Sequence, residues 1–95
     1  MSDETKRESV AYLTAVKGRV LGEWASSPSP VGSIGVEFSI SADGCVPWLR
    51  FTKRTVSGDR RGVLGAFRRV LPFRSPPPPI ADTILEATFS TELRS

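Results

Sequence analysis

Apolar residues Ile34, Val36, Phe38 and Ile40 recur at every second position, with Gly35, Glu37 and Ser39 between them. A period of two places one set of side chains on one face of an extended strand, which commits this stretch to a sheet with a single buried face. Ser41-Ala42-Asp43-Gly44 follows, and Asp-Gly tolerates the positive φ angles of a tight reversal, so a hairpin is predicted here. Val46, Trp48, Leu49 and Phe51 supply the return strand. Pro47 cannot donate to a ladder and Trp48-Leu49 breaks the alternation, so an edge position or a bulge is expected near Pro47.

The elements on either side of this hairpin follow helical and extended periods. Thr5 and Glu8 are spaced as a capping box, and Val10, Leu13, Val16, Val20, Leu21 and Trp24 then form one stripe of a first helix. Gly18 and Gly22 weaken that helix, and their spacing would permit close approach of another element. Residues 25 to 33, rich in Ser, Pro and Gly, cross to the hairpin. After Ser57-Gly58, Asp59 is a candidate N-cap for a second helix whose inner side is Val63, Ala66, Phe67 and Val70, and Pro72 ends it. Pro76 to Pro79 read as a rigid extended crossover. From Thr83 to Thr91, Leu85, Ala87 and Phe89 alternate with Ile84, Glu86, Thr88 and Ser90, the pattern of a third strand.

The fold class is therefore α+β: a two-layer domain in the order helix-strand-strand-helix-strand, with a three-stranded antiparallel sheet and two helices on one face. A chain of 95 residues has material for one core. Residues 1–11 form a polar N-terminal segment with the helix start, and 12–92 form the domain.

Charge is distributed unevenly. Residues 1 to 49 carry four basic and six acidic side chains, 50 to 74 carry eight and one, and 75 to 95 carry one and three. The basic centre, Arg50, Lys53, Arg54, Arg60, Arg61, Arg68, Arg69 and Arg74, would steer an acidic protein, lipid headgroups or nucleic acid. Trp48 and Phe51 would add stacking if exposed. No zinc-finger, helix-turn-helix or single-strand-binding motif accompanies these residues, so nucleic acid ranks behind a protein partner.

Histidine is absent and Cys45 is the one cysteine, which excludes an internal disulfide and a multi-thiolate metal site. Serine nucleophiles lack a recognisable activating base, the carboxylates have turn, cap or strand-surface explanations, and no phosphate-cradling glycine motif is present. Neither enzyme activity nor a cofactor is expected. No stretch is apolar over the length of a membrane span, and Met1-Ser2-Asp3-Glu4 does not begin a signal peptide. A three-stranded sheet leaves two edges, and the final strand is a candidate edge for pairing with an extended peptide.

Tyr12 to Trp24, Gly35-Val36-Glu37-Phe38-Ser39-Ile40-Ser41-Ala42-Asp43-Gly44-Cys45-Val46, Val56-Ser57-Gly58, Ala66-Phe67, Leu71-Pro72-Phe73-Arg74-Ser75-Pro76-Pro77 and Thr88-Phe89, in that order, resemble the C-terminal domain of the TonB and TolA energy transducers. Where the family carries a Leu-Asp pair, Asp59 to Gly65 is shorter and glycine-bearing.

The resemblance implies a periplasmic domain that binds the TonB-box segment of an outer-membrane transporter, or another envelope protein in a TolA-like role. Strand addition in that family uses the last strand, which implies partner-binding roles for Ile84, Leu85, Glu86, Ala87, Thr88 and Phe89, with Pro76 and Pro77 shaping the docking region. Inner-membrane motor proteins would act only through an anchor that the printed residues lack, and a homodimer is a further expectation. A chain complete as printed would stay in the cytoplasm.

Overall fold

The computed structural model describes residues 3–28, 30–53, 55 and 57–91, apart from the side chains of Ser57 and Thr91, and its sheet is built outward from strand β1, Gly32–Phe38. Helix α1, Asp3–Ala25, precedes it; β2, Leu49–Phe51, β3, Ser57–Gly58, α2, Arg60–Val70, and β4, Leu85–Thr91, follow. One flank of β1 pairs antiparallel with β4 over its whole length, from Gly32 opposite Thr91 to Phe38 opposite Leu85. The other flank is shared. Val36 to Phe38 pair with β2, and Gly32 and Ser33 pair with β3.

Because β2 and β3 lie end to end along that flank, the sheet is three strands wide, with its third rank broken in the middle. Thr55 fills the break. Gly35 N–H donates to Thr55 Oγ1 at 3.0 Å, the same hydroxyl donates to the Gly35 carbonyl at 3.0 Å, and Thr52 N–H reaches that carbonyl at 2.9 Å. A side chain thus replaces a stretch of ladder, leaving the buried Gly35 amide and carbonyl both satisfied.

Ile34, Val36 and Phe38 of β1 and Leu85 and Phe89 of β4 turn to one face, as the alternation predicts, and join one buried cluster with Val16, Val20 and Trp24 of α1 and Val63, Ala66, Phe67 and Val70 of α2. Both helices therefore cover the same side of the sheet. Phe67 meets Phe38 and Phe89 edge-on, with centroids 5.1 and 5.8 Å away, geometry worth about 0.5–1.5 kcal/mol per pair beyond burial. The helices run antiparallel: Trp24 Nε1 donates to Asp59 Oδ2 at 3.3 Å beside the start of α2, and an Arg19 guanidinium N–H donates to the Val70 carbonyl at 3.3 Å at its end.

Several local expectations are corrected. Thr5 is inside α1, which is already helical at Asp3, so it is not the N-cap. Val10 is 64% exposed because α1 overhangs the core and Val16 is its first buried residue. Gly18 and Gly22 approach no other element: a Cβ on either would meet nothing within 4 Å beyond the backbone of its own helix. Pro47 makes no bulge in a ladder, since pairing with β1 begins only at Leu49.

The Asp-Gly turn does form, with Gly44 N–H donating to the Ser41 carbonyl and Ser41 N–H to the Cys45 carbonyl, both at 2.9 Å. Its neighbours are drawn to the segment after α2 instead of to β2: Phe73 N–H donates to Gly44 O at 2.9 Å, and Asp82 N–H to Ile40 O at 2.8 Å. The proline run is not a straight spacer either. Its end folds into a turn, in which Ile80 N–H donates to the Pro77 carbonyl at 2.9 Å, and Ile80 is buried in the core.

Candidate functional site

The direction of each main-chain group on β4 follows from the pairing of β1. Gly35 turns its N–H and C=O towards the β2 and β3 flank, so by the alternation of an antiparallel strand Ile34, Val36 and Phe38 turn theirs towards β4. Their partners are Phe89, Ala87 and Leu85, whose main-chain groups are engaged in that ladder. Glu86, Thr88 and Ser90 alternate with these and direct their N–H and C=O away from β1. Among the described residues, no strand pairs along that outer side of β4.

A groove of about 600 Å³ runs beside this edge, walled by Leu13, Val16 and Lys17 of α1, by Phe38, and by Ile84 to Phe89. The structure thus brings together Ile84, Leu85, Glu86, Ala87, Thr88 and Phe89. Leu85 and Phe89 form the buried floor, Ala87 is half-buried, and Ile84, just before β4, is 66% exposed. Lys17 and Leu13 belong to the same groove, although the helical period marks only Leu13, and marks it for the core. Their separation of four residues puts them on one side of α1, but which side covers β4 depends on the packing of both helices.

On the helix-free face of the sheet, Glu37 stands in register between Arg50 and Glu86. Arg50 Nε donates to Glu37 Oε1 at 2.5 Å, which offsets the repulsion of two carboxylates directly across a strand pair.

Pro76 and Pro77 lie elsewhere. They line a second groove, of about 650 Å³, with Tyr12, Arg19, Phe73 and Arg74, and of the β4 groove's lining it shares only Val16. The Tyr12 hydroxyl donates to the Arg74 carbonyl at 2.7 Å, pinning the crossover to α1. Partial burial pushes the Tyr12 hydroxyl's pKa above the usual phenol value.

The basic residues do not form one patch. Arg50 lies on the sheet face, Lys53 in the turn after β2, and Arg74 on the crossover, while Arg60, Arg61, Arg68 and Arg69 are exposed on α2; Arg54 lies outside the described residues. Phe51 is half-buried beneath the Arg60 guanidinium, 5.6 Å from its ring centroid, so it offers no free stacking face on that side. Trp48 is 39% exposed.

Cys45 is exposed beside the turn, and partial desolvation followed by the Asp43 carboxylate raises its thiol's pKa above the ordinary value, the opposite of an activated nucleophile. Among the described residues, no cluster of three metal-ligating side chains occurs, and no helix is long and apolar enough to cross a membrane. No model of a known protein family matches this chain, and no curated protein matches its sequence.

Proposed function

We propose that this domain is a non-enzymatic protein-binding module that takes up an extended peptide as an added strand along β4. The observation that carries the reading is the outward direction of the Thr88 and Ser90 main-chain groups beside a groove that already has an apolar floor. A guest strand there gains main-chain hydrogen bonds from the edge, and its alternate side chains gain contact with Leu13, Ala87 and Phe89. Lys17 at the groove wall favours a guest with an acidic side chain on its inward face. The resemblance to the TonB C-terminal domain supports the same mode and names the guest class: a TonB-box-like segment of an outer-membrane transporter.

Titrating the full chain with a TonB-box peptide while following backbone amide resonances tests this. Shifts concentrated at residues 84–90 and at Leu13 and Lys17 are expected. No binding at millimolar peptide, or shifts confined to the second groove, would remove the proposal.

A further inference from the structure

The outer face of α2 lies apart from the β4 groove. Val63, Ala66, Phe67 and Val70 are buried, which fixes the rotation of the helix and leaves Arg60, Arg61, Arg68 and Arg69 exposed. No acidic residue occurs in the helix. Arg61 and Arg68 are seven residues apart, so they lie within about 20° of each other around the axis and about 10.5 Å apart along it. Arg60 and Arg69 flank them and are held in place, Arg60 above Phe51 and Arg69 3.6 Å from Glu23. Arg61 and Arg68 have no carboxylate partner among the described residues.

Local stability accounts for part of this arrangement, since Arg68 and Arg69 lie in the last turn, where the helix dipole favours cations, Arg60 stacks over Phe51 and Arg69 pairs with Glu23, but it does not account for Arg61. Arg60 and Arg61 occupy the first turn, where the helix dipole disfavours cations, and the same four positions filled by neutral residues would leave the buried side of α2 unchanged. Guanidinium groups are suited to phosphate because their planar fork donates two parallel hydrogen bonds. Between the two arginine pairs the exposed side of α2 carries Leu64 and Gly65, with no amide or hydroxyl to read a base edge. An array of cations around a half-buried leucine matches a layer of phosphate headgroups better than the grooves of a duplex.

We propose that this face of α2 docks the domain on an anionic phospholipid surface. Arg61 and Arg68 make the direct phosphate contacts, and Arg60 and Arg69 add to them from either side. The fold keeps the two surfaces independent: α2 covers the β2 side of the sheet, where Arg60 meets Phe51, whereas the peptide groove lies between α1 and the opposite edge. A domain resting on α2 therefore leaves β4 open.

Co-sedimentation of the full chain with phosphatidylcholine vesicles, with and without phosphatidylglycerol, tests the proposal. Binding is expected only where phosphatidylglycerol is present, and it should weaken as salt is raised. Each guanidinium near such a surface contributes about fivefold, so R61Q/R68Q should weaken partitioning about 30-fold, while K6Q/R7Q on the α1 overhang should leave it unchanged. Amide spectra that retain the native dispersion keep a loss of binding from being a loss of fold. Equal binding to both vesicles, an unaffected R61Q/R68Q variant, or tighter retention of a short DNA duplex than of phosphatidylglycerol vesicles would overturn it. Because peptide titration reads β4, failure here and failure of strand addition are separate results.

Discussion

Gly18 and Gly22 lie on the exposed side of α1, where an added methyl group meets nothing, so each is a place where backbone entropy is lost on folding without compensating contact. Gly18→Ala and Gly22→Ala should each stabilise the domain by about 0.5–1 kcal/mol, read as a higher urea midpoint with an unchanged slope. Gly62 is the contrary case. A Cβ there would fall 1.9 Å from Asp59 Oδ2, so Gly62→Ala displaces the cap that Gly62 N–H donates to at 2.9 Å, and should cost about 1 kcal/mol despite alanine's higher propensity. At the hairpin tip, the Ser41 hydroxyl and then the Cys45 N–H lower the Asp43 pKa below the usual carboxylate value. Its folded pKa lies below its unfolded one, so the stability it contributes is present above the unfolded value and fades as pH falls through the folded value. Asp43→Asn should flatten that acid limb in urea titrations. It should also speed iodoacetamide alkylation of Cys45, whose thiol has a raised pKa partly because of the Asp43 charge.

At the scale of elements, one carboxylate ties the two helices together. Asp59 caps α2 and accepts the Trp24 indole N–H, so Asp59→Ala removes the cap and leaves a polar group of a fully buried side chain without its acceptor, a loss of about 2–4 kcal/mol. Asp59→Asn should cost less, and a double-mutant cycle with Trp24→Phe in urea melts separates the cap from the tie. On β4, the alternation of main-chain direction makes neighbouring residues respond differently to proline. Thr88→Pro deletes an outward N–H and should keep the folded spectrum while losing peptide binding, whereas Ala87→Pro deletes an N–H directed at β1 and should unfold the domain. The types of β1, β4 and the two helices are legible in the sequence because each follows from a local period: two for the strands and 3.6 for the helices, with Asp59 starting α2 and Pro72 stopping it. The broken third rank is not legible. Thr55 is an ordinary loop threonine until folding brings it beside Gly35, twenty residues away in the chain.

Across the whole molecule, the core begins well inside α1. Deleting residues 1–9 should change stability by less than about 1 kcal/mol in urea melts, since none of the residues described there is buried. The candidate site was legible in part. The alternation of Ile84 to Phe89 marks a half-buried strand, and three strands guarantee two edges, but nothing local says which strands those are. Lys17 and Leu13 are not marked as groove residues for the same reason, and Pro76 and Pro77, which the resemblance places near the docking region, line a second groove that shares only Val16 with the one beside β4. The sequence by itself determined the two helices, β1, β2 and β4 in their order and, apart from the overhanging start of α1, the face each one buries, because those follow from side-chain spacing, caps and stops within a few residues; β3 at Ser57–Gly58 does not follow from them. Only the tertiary structure decided that β4 closes against β1 with no strand paired along its far side among the described residues, that α1 walls the resulting groove, and that the exposed side of α2 carrying Arg61 and Arg68 lies apart from it. Each of these depends on contacts between residues remote in the chain, and their free energy is set by the whole packed core.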